Sequence, residues 1–330
     1  MLLDRAATDA RRALSTGRYD PNLFEVLGTV AEHKGSADAA LVAEETLAAL
    51  GGQPFPVHGA GIAAADAALD ELLAPELVTP ALRTLLRRTG DVLDAAYSLD
   101  PRTLRAGAFP SDGSGRADQV RDMARAFGIQ GIEVLVSPVL GPTCLAARSV
   151  PAQVVYGAPL LERGDDATRY FLLIRALKLI QARAATLART VPIELGPLVA
   201  GFLAAISDYQ PEGVDPKRLG DAKKRIKDAM IHPFDAEVPM LALEVTGSLG
   251  NRVSQLATAL SAWANRTALL AVGNPLTALR AIALSSGAEL PPDDTERMRW
   301  ISRNPEARDL FVFSVSDQYM EARKRVGVQG

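Results

Sequence analysis

Apolar residues recur every three or four positions along most of the chain, and only one stretch departs from that rhythm. Asp4–Ser15, Pro21–His33 and Ser36–Leu50 each carry an apolar face at helical spacing, and Thr16-Gly17 and Lys34-Gly35 separate them. The run Gly51-Gly-Gln-Pro-Phe-Pro-Val-His-Gly59 is dense in Gly and Pro. It places a boundary between residues 1–52 and 62–330, with 53–61 as the linker. Beyond it, Ala63–Leu73 and Thr79–Tyr97 read as helices, the second opened by Thr79 as a cap with Pro80 at the first helical position. Residues Gly107–Gly115 read as a loop, and Arg116–Phe127 as a helix that Gly128 ends.

The rhythm then changes. Ile132–Ser137, Thr143–Arg148 and Gln153–Tyr156 are short runs rich in β-branched and apolar residues, separated by prolines, and they predict three strands in an antiparallel meander. A long apolar helix is expected from Ala167 to about Arg189, with a narrow polar stripe through Arg175, Lys178, Gln181 or Ala182, Thr186 and Arg189. Helices follow at Leu195–Ser207, Pro216–Met230, Ala236–Thr246, Arg252–Val272, Pro275–Ser285, Asp293–Ile301 and Pro305–Arg325. Many helices and one small sheet make the expected class α+β, helix-dominated. A helical-repeat end precedes a domain in which a small antiparallel sheet lies beside a buried central helix.

Two resemblances accompany this pattern. Phe24, Leu27, Gly28, Gly35 and Ala40 fall near the offsets of the tetratricopeptide repeat, although three ordinary paired helices would read the same way. A single repeat cannot bury its own apolar face. It must therefore dock on the following domain or continue an array, and the second fits the C-terminal parts of large bacterial repeat proteins. On either view residues from about Pro54 onward are expected to fold without the first fifty. The second resemblance covers roughly residues 120–290. Gln153–Gly157, Leu160-Leu161, Asp165-Asp166 and the helix Phe171–Leu179 resemble the core of zinc metallopeptidases of the HtpX and CAAX prenyl endopeptidase type, which are gluzincins. Ser261-Ala-Trp-Ala264-Asn265-Arg266 resembles their second motif, E-x-x-A-D-R.

In that frame every position that should hold metal carries another side chain. The two histidines of H-E-x-x-H become Arg175 and Leu179, and the glutamate base becomes Ala176. Ser261 stands for the third ligand, and Asn265 for the aspartate. Catalytic zinc requires three donor side chains, an open position and a base for its water. Arginine does not shed its proton to ligate, and leucine has no donor atom. His33, His58 and His232 lie far apart in sequence, and Cys144 is the lone cysteine. No cofactor is expected. The vacated positions imply a cleft that is either repurposed around Arg175 or filled by Trp263 and Leu179 with Arg175 at its rim, and filling is the expectation.

Composition narrows the function further. A net charge of −3 gives no general attraction to nucleic acid. The basic run Lys217, Arg218, Lys223, Lys224, Arg225 and Lys227 lacks interleaved aromatics and is read as a solvated face, so no nucleic-acid partner is expected. Asp4, Arg5, Arg11 and Arg12 interrupt the opening residues, so no secretory leader is expected. The most apolar window, Ile193–Ile206, is about fourteen residues, too short for a membrane span. The expected role is a pseudo-metallopeptidase module for protein–protein interaction or scaffolding in a larger cytoplasmic assembly. The alternative is an enzyme of another class, or a small-ligand binder, reusing the former metal cleft. The ligand set carries one direct test: elemental analysis after mild dialysis should find well under one zinc per chain, and stoichiometric zinc that resists dialysis would refute the pseudoenzyme reading.

Overall fold

Among the described residues five α-helices begin with a polar cap followed by proline, and the pairing explains why those segments start where they do. The side chains of Asp20, Thr79, Asp215, Asn274 and Asn304 accept from backbone N–H groups in the first turn, where no carbonyl is available. The proline behind each cap has no N–H to leave unpaired and a φ already suited to the helix. In this computed structural model the described residues are 2–56, 59–109, 116–211 and 213–328. His58 and part of the expected 107–115 loop lie outside them.

Three helices open the chain: α1 (Leu2–Ser15), α2 (Pro21–His33) and α3 (Ala37–Leu50). Short turns of helix lead through α4 (Asp70–Leu73) to α5 (Pro80–Ala96). Next come β1 (Gly107–Ala108), α6 (Arg116–Ala126), β2 (Glu133–Ser137), β3 (Cys144–Arg148) and β4 (Gln153–Gly157). After the sheet stand α7 (Ala158–Arg163), α8 (Asp166–Gln181), α9 (Ala185–Arg189), α10 (Pro192–Ile206), α11 (Pro216–Ala229) and α12 (Glu237–Leu249). The described chain closes with α13 (Leu256–Val272), α14 (Pro275–Ser285), α15 (Asp294–Arg303), α16 (Pro305–Phe313) and α17 (Asp317–Arg325). The fold is α+β and helix-dominated.

The sheet is mixed, not the antiparallel meander expected. Its order is β1-β2-β4-β3, with β2 parallel to β4 and β3 antiparallel to it. The physical reason is burial. All of Gln153–Gly157 is buried, so β4 takes an inner position with a neighbour on each side, and β3 is displaced to the edge. At the end of β4 only glycine fits, because a Cβ on Gly157 would lie 1.8 Å from the Gly141 carbonyl oxygen.

The central helix is also shorter than its apolar run. It ends at Gln181, and Arg183 takes a left-handed φ of 53°. Arg183 N–H donates to Ile180 O (3.0 Å) and Ala184 N–H to Leu179 O (2.9 Å), the paired bonds of a Schellman cap. The sequence hides this stop because the cap residue is arginine where glycine is usual. Gly90 of α5 accepts the close approach, since a Cβ there would meet Arg183 O at 2.3 Å.

α8 packs on α13 and α14 on one side and on β3 on the other. Only a few of its residues reach past the core, and the break after Gln181 splits the expected polar stripe. Lys178 does not face water: it is 2% exposed, ion-paired with Asp70 and hydrogen-bonded to Gln181 Oε1. Gln181 donates onward to Ala65 O and Phe127 O, and Thr186 donates to the buried Asp94. The basic residues of α11 do lie toward solvent, with Lys223 half-buried, and the exposed Arg225 also stands over the Tyr97 ring at 5.0 Å.

The N-terminal helices share the main core with the C-terminal ones. Tyr19 and Phe24 meet Phe311 of α16 edge-on, at 5.5 and 5.4 Å between ring centroids. Arg323 of α17 is fully buried and donates from Nε and Nη2 to Asp38 of α3, while Arg297 of α15 donates from Nη1 to Leu50 O. The segment between the two units is held as well, since Ala60 N–H donates to Leu270 O of α13 at 2.9 Å. A chain starting at Pro54 would leave Arg297 and Arg323 without these partners, a cost that the sequence pattern does not display. Phe311→Ala should destabilise the whole chain by roughly 3–5 kcal/mol through the cavity it opens between the units. Chemical denaturation checks this, and a loss below about 1 kcal/mol would mean that the aromatic contact is peripheral.

Candidate functional site

The residues that the sequence singles out on α8 and α13 converge. Arg175 and Ala176 each lie one turn before Leu179 on α8, so the three share a face, and Ser261 faces them from α13. All four line one cavity of about 480 Å³, together with Thr143–Ala146 at β3 and Asn304–Glu306 at the start of α16. Asn265, one turn after Ser261, is fully buried beside it.

The cleft is open, contrary to the expectation that Trp263 and Leu179 fill it. Leu179 does line the cavity, but Trp263 does not. Two residues after Ser261 the helix has turned by about 200°. The indole is therefore buried on the far side, with Lys178 Nζ 4.5 Å from its ring centroid. Arg175 is not simply a solvated edge either. Its Nη2 donates to Glu306 Oε1 at 3.0 Å, and Asn265 Nδ2 donates to Glu306 Oε2 at 3.1 Å. One carboxylate thus joins Arg175 of α8 to Asn265 of α13. Asn265 Oδ1 is buried with no hydrogen-bond partner.

Glu306 was invisible to sequence reasoning, since it lies 131 residues from Arg175 and belongs to no motif. The only local signal is Asn304-Pro305, which caps α16 and so fixes where its first turn begins. Arg189 also lines the cavity, but its Nη1 and Nη2 are spent on Ala147 O and Tyr97 O. Arg266 makes a two-pronged pair with Asp309 at 2.6 and 3.0 Å and covers Phe313, and so fastens α13 to α16 behind the cleft.

The floor of the cleft is a strand edge. Gly157 N–H donates to Thr143 O, so Thr143 and Leu145 turn their main-chain groups toward β4. Cys144 and Ala146 therefore turn theirs outward, and among the described residues no strand pairs with β3 on that side. The Cys144 thiol is buried, which pushes its pKa up; Tyr156 and the charge of Arg175 offset this only in part. It is a neutral packing group, not a nucleophile.

Among the described residues no three His, Cys, Asp or Glu side chains come together in a way that could hold a metal ion. His33 sits at the exposed end of α2, and His232 lies between α11 and α12. Comparison with known protein families, curated proteins and solved structures finds no match.

Two substitutions separate the packing role from the polar one. Trp263→Ala should cost roughly 3–5 kcal/mol, because a fully buried ring leaves a void that cannot collapse. Arg175→Ala should cost about 1 kcal/mol, since Glu306 keeps Asn265 and gains water. Thermal or denaturant melts compare them, and a larger loss at Arg175 would make that residue, not the indole, the keystone of α13 against α8.

Proposed function

We propose that the chain is a non-catalytic binding module of metallopeptidase-like origin, and that its cleft receives an extended segment of a protein partner. One observation carries the reading: an open groove floored by an unpaired strand edge lies where the sequence frame puts the metal site. A strand edge offers its own N–H and C=O groups to an incoming chain, and the hydrogen bonds do not depend on the partner's side chains. The groove walls from α8, α13 and α16 supply what selects among sequences.

Peptide cleavage at this site would lack its essential parts. A serine, a leucine, an alanine and a protonated guanidinium neither bind zinc nor activate water. Ser261 has no histidine to take its proton, since none of the described histidines lies in the cleft. Glu306 is held by Arg175 and Asn265, as befits an anchored group more than a free base.

Binding without turnover suits a scaffold, and the reading extends to a cytoplasmic assembly in which the N-terminal helices meet further helical repeats. Among the described residues no helix is long and apolar enough to cross a membrane. The small-ligand alternative uses the same cavity but leaves the β3 edge without a purpose.

Hydrogen exchange tests the geometry directly. A peptide selected on the full chain from a randomised linear library should slow exchange at the amides of Cys144 and Ala146, which face outward. The amide of Leu145, already turned toward β4, should change little. Protection confined to another surface, with Cys144 and Ala146 unaffected, would refute the groove.

A further inference from the structure

The cleft differs in charge from the molecule around it. The whole chain carries −3, yet the charged side chains lining the cavity are Arg175 and Arg189 against Glu306 alone. Arg189 contributes charge but few donors, because both its Nη atoms are engaged by carbonyls. Arg175 is the opposite case. It spends Nη2 on Glu306, and its remaining N–H groups meet no protein acceptor among the described residues. The side chain retains 17% exposure at the cavity wall.

A guanidinium presents its donors as a rigid fork matched to a carboxylate. Glu306 grips one corner of that fork and fixes its orientation, which lowers the ordering cost for an anion arriving at the rest. Glu306 itself repels that anion less than a free carboxylate would, because Arg175 and Asn265 each occupy one of its oxygens. Ser261, across the cavity on α13, has a hydroxyl that makes no hydrogen bond among the described residues and can donate to the same group.

On the reading of the cleft as a peptide groove, we infer that the bound segment carries an Asp or Glu side chain whose carboxylate seats on the free donors of Arg175. A side chain is required, not a chain terminus. A strand paired with Cys144 and Ala146 turns alternate side chains toward α8, while its backbone runs on along β3.

The test uses the full chain and a randomised linear dodecapeptide library. Selected peptides should share an Asp or Glu at one position, and replacing it by Gln or Asn in the synthetic peptide should weaken binding about tenfold or more, as a lost charge-assisted bond does. On Arg175→Met the acidic and amide peptides should bind within about twofold of each other, while still protecting the Cys144 and Ala146 amides. Should that variant fail to fold, Glu306→Gln serves instead: it removes the competing carboxylate, so discrimination against the amide peptide should grow.

Peptides that protect the β3 edge but show no acidic preference would overturn the inference and leave the groove standing. Loss of binding on C-terminal amidation, with none on side-chain neutralisation, would overturn it too, since the terminus would then be the group recognised. Unchanged or smaller discrimination on Glu306→Gln has the same force. A library that yields no binder at all overturns the groove itself.

Discussion

The burial of α8 on nearly its whole circumference constrains everything around it. Phe171, Leu172, Leu173, Ile174, Ala176, Leu177, Leu179 and Ile180 are all buried, so neighbours must cover every side of the helix. The sheet, α13 and α14 do so. The same enclosure decides the fate of its charged residues. Lys178, shut into the core, is kept by Asp70, Gln181 and the face of Trp263, although desolvation lowers its pKa. A buried charge without partners would cost several kcal/mol. Arg175 escapes this only because the cavity reaches it.

That cavity persists because polar groups line it and brace it. Apolar bulk could have filled the space, and Trp263 is well placed in sequence for the purpose. Helical geometry forbids it, since the indole points to the opposite face of α13 from Ser261. What spans the space instead is Glu306, tied to α8 through Arg175 and to α13 through Asn265. Three helices are thus fixed by one carboxylate, and the β3 edge beneath them is left uncovered. Free strand edges are usually covered, charged or shortened in folded proteins. Here the edge is short and recessed in a groove, which guards against open-ended association yet leaves room for one added strand.

The two ends of the chain hold each other. Phe311 accepts Tyr19 and Phe24, Arg323 reaches Asp38, and Arg297 reaches Leu50 O, so α1 to α3 lie against the helices that also carry Glu306. α16 takes part in both: its first turn lines the cleft, and its last residues pack on the N-terminal helices.

Local pattern determined the helices, their capped starts and the short strands, because those features depend on neighbours a few residues apart. Asn304-Pro305 announces α16, and Arg175, Ala176 and Leu179 share a face by spacing alone. Tertiary structure decided the rest. Strand order followed from which run could be buried throughout, a comparison among three segments that no one segment contains. The end of α8 depended on an arginine in a left-handed cap against Gly90, where propensity pointed to more helix. Glu306 joined Arg175 across 131 residues, and no periodicity encodes such a contact. Whether the cleft stayed open rested on the direction in which Trp263 points, which the sequence sets only once α13 has its neighbours: residue type is local information, but the space left between packed helices is a property of all of them together.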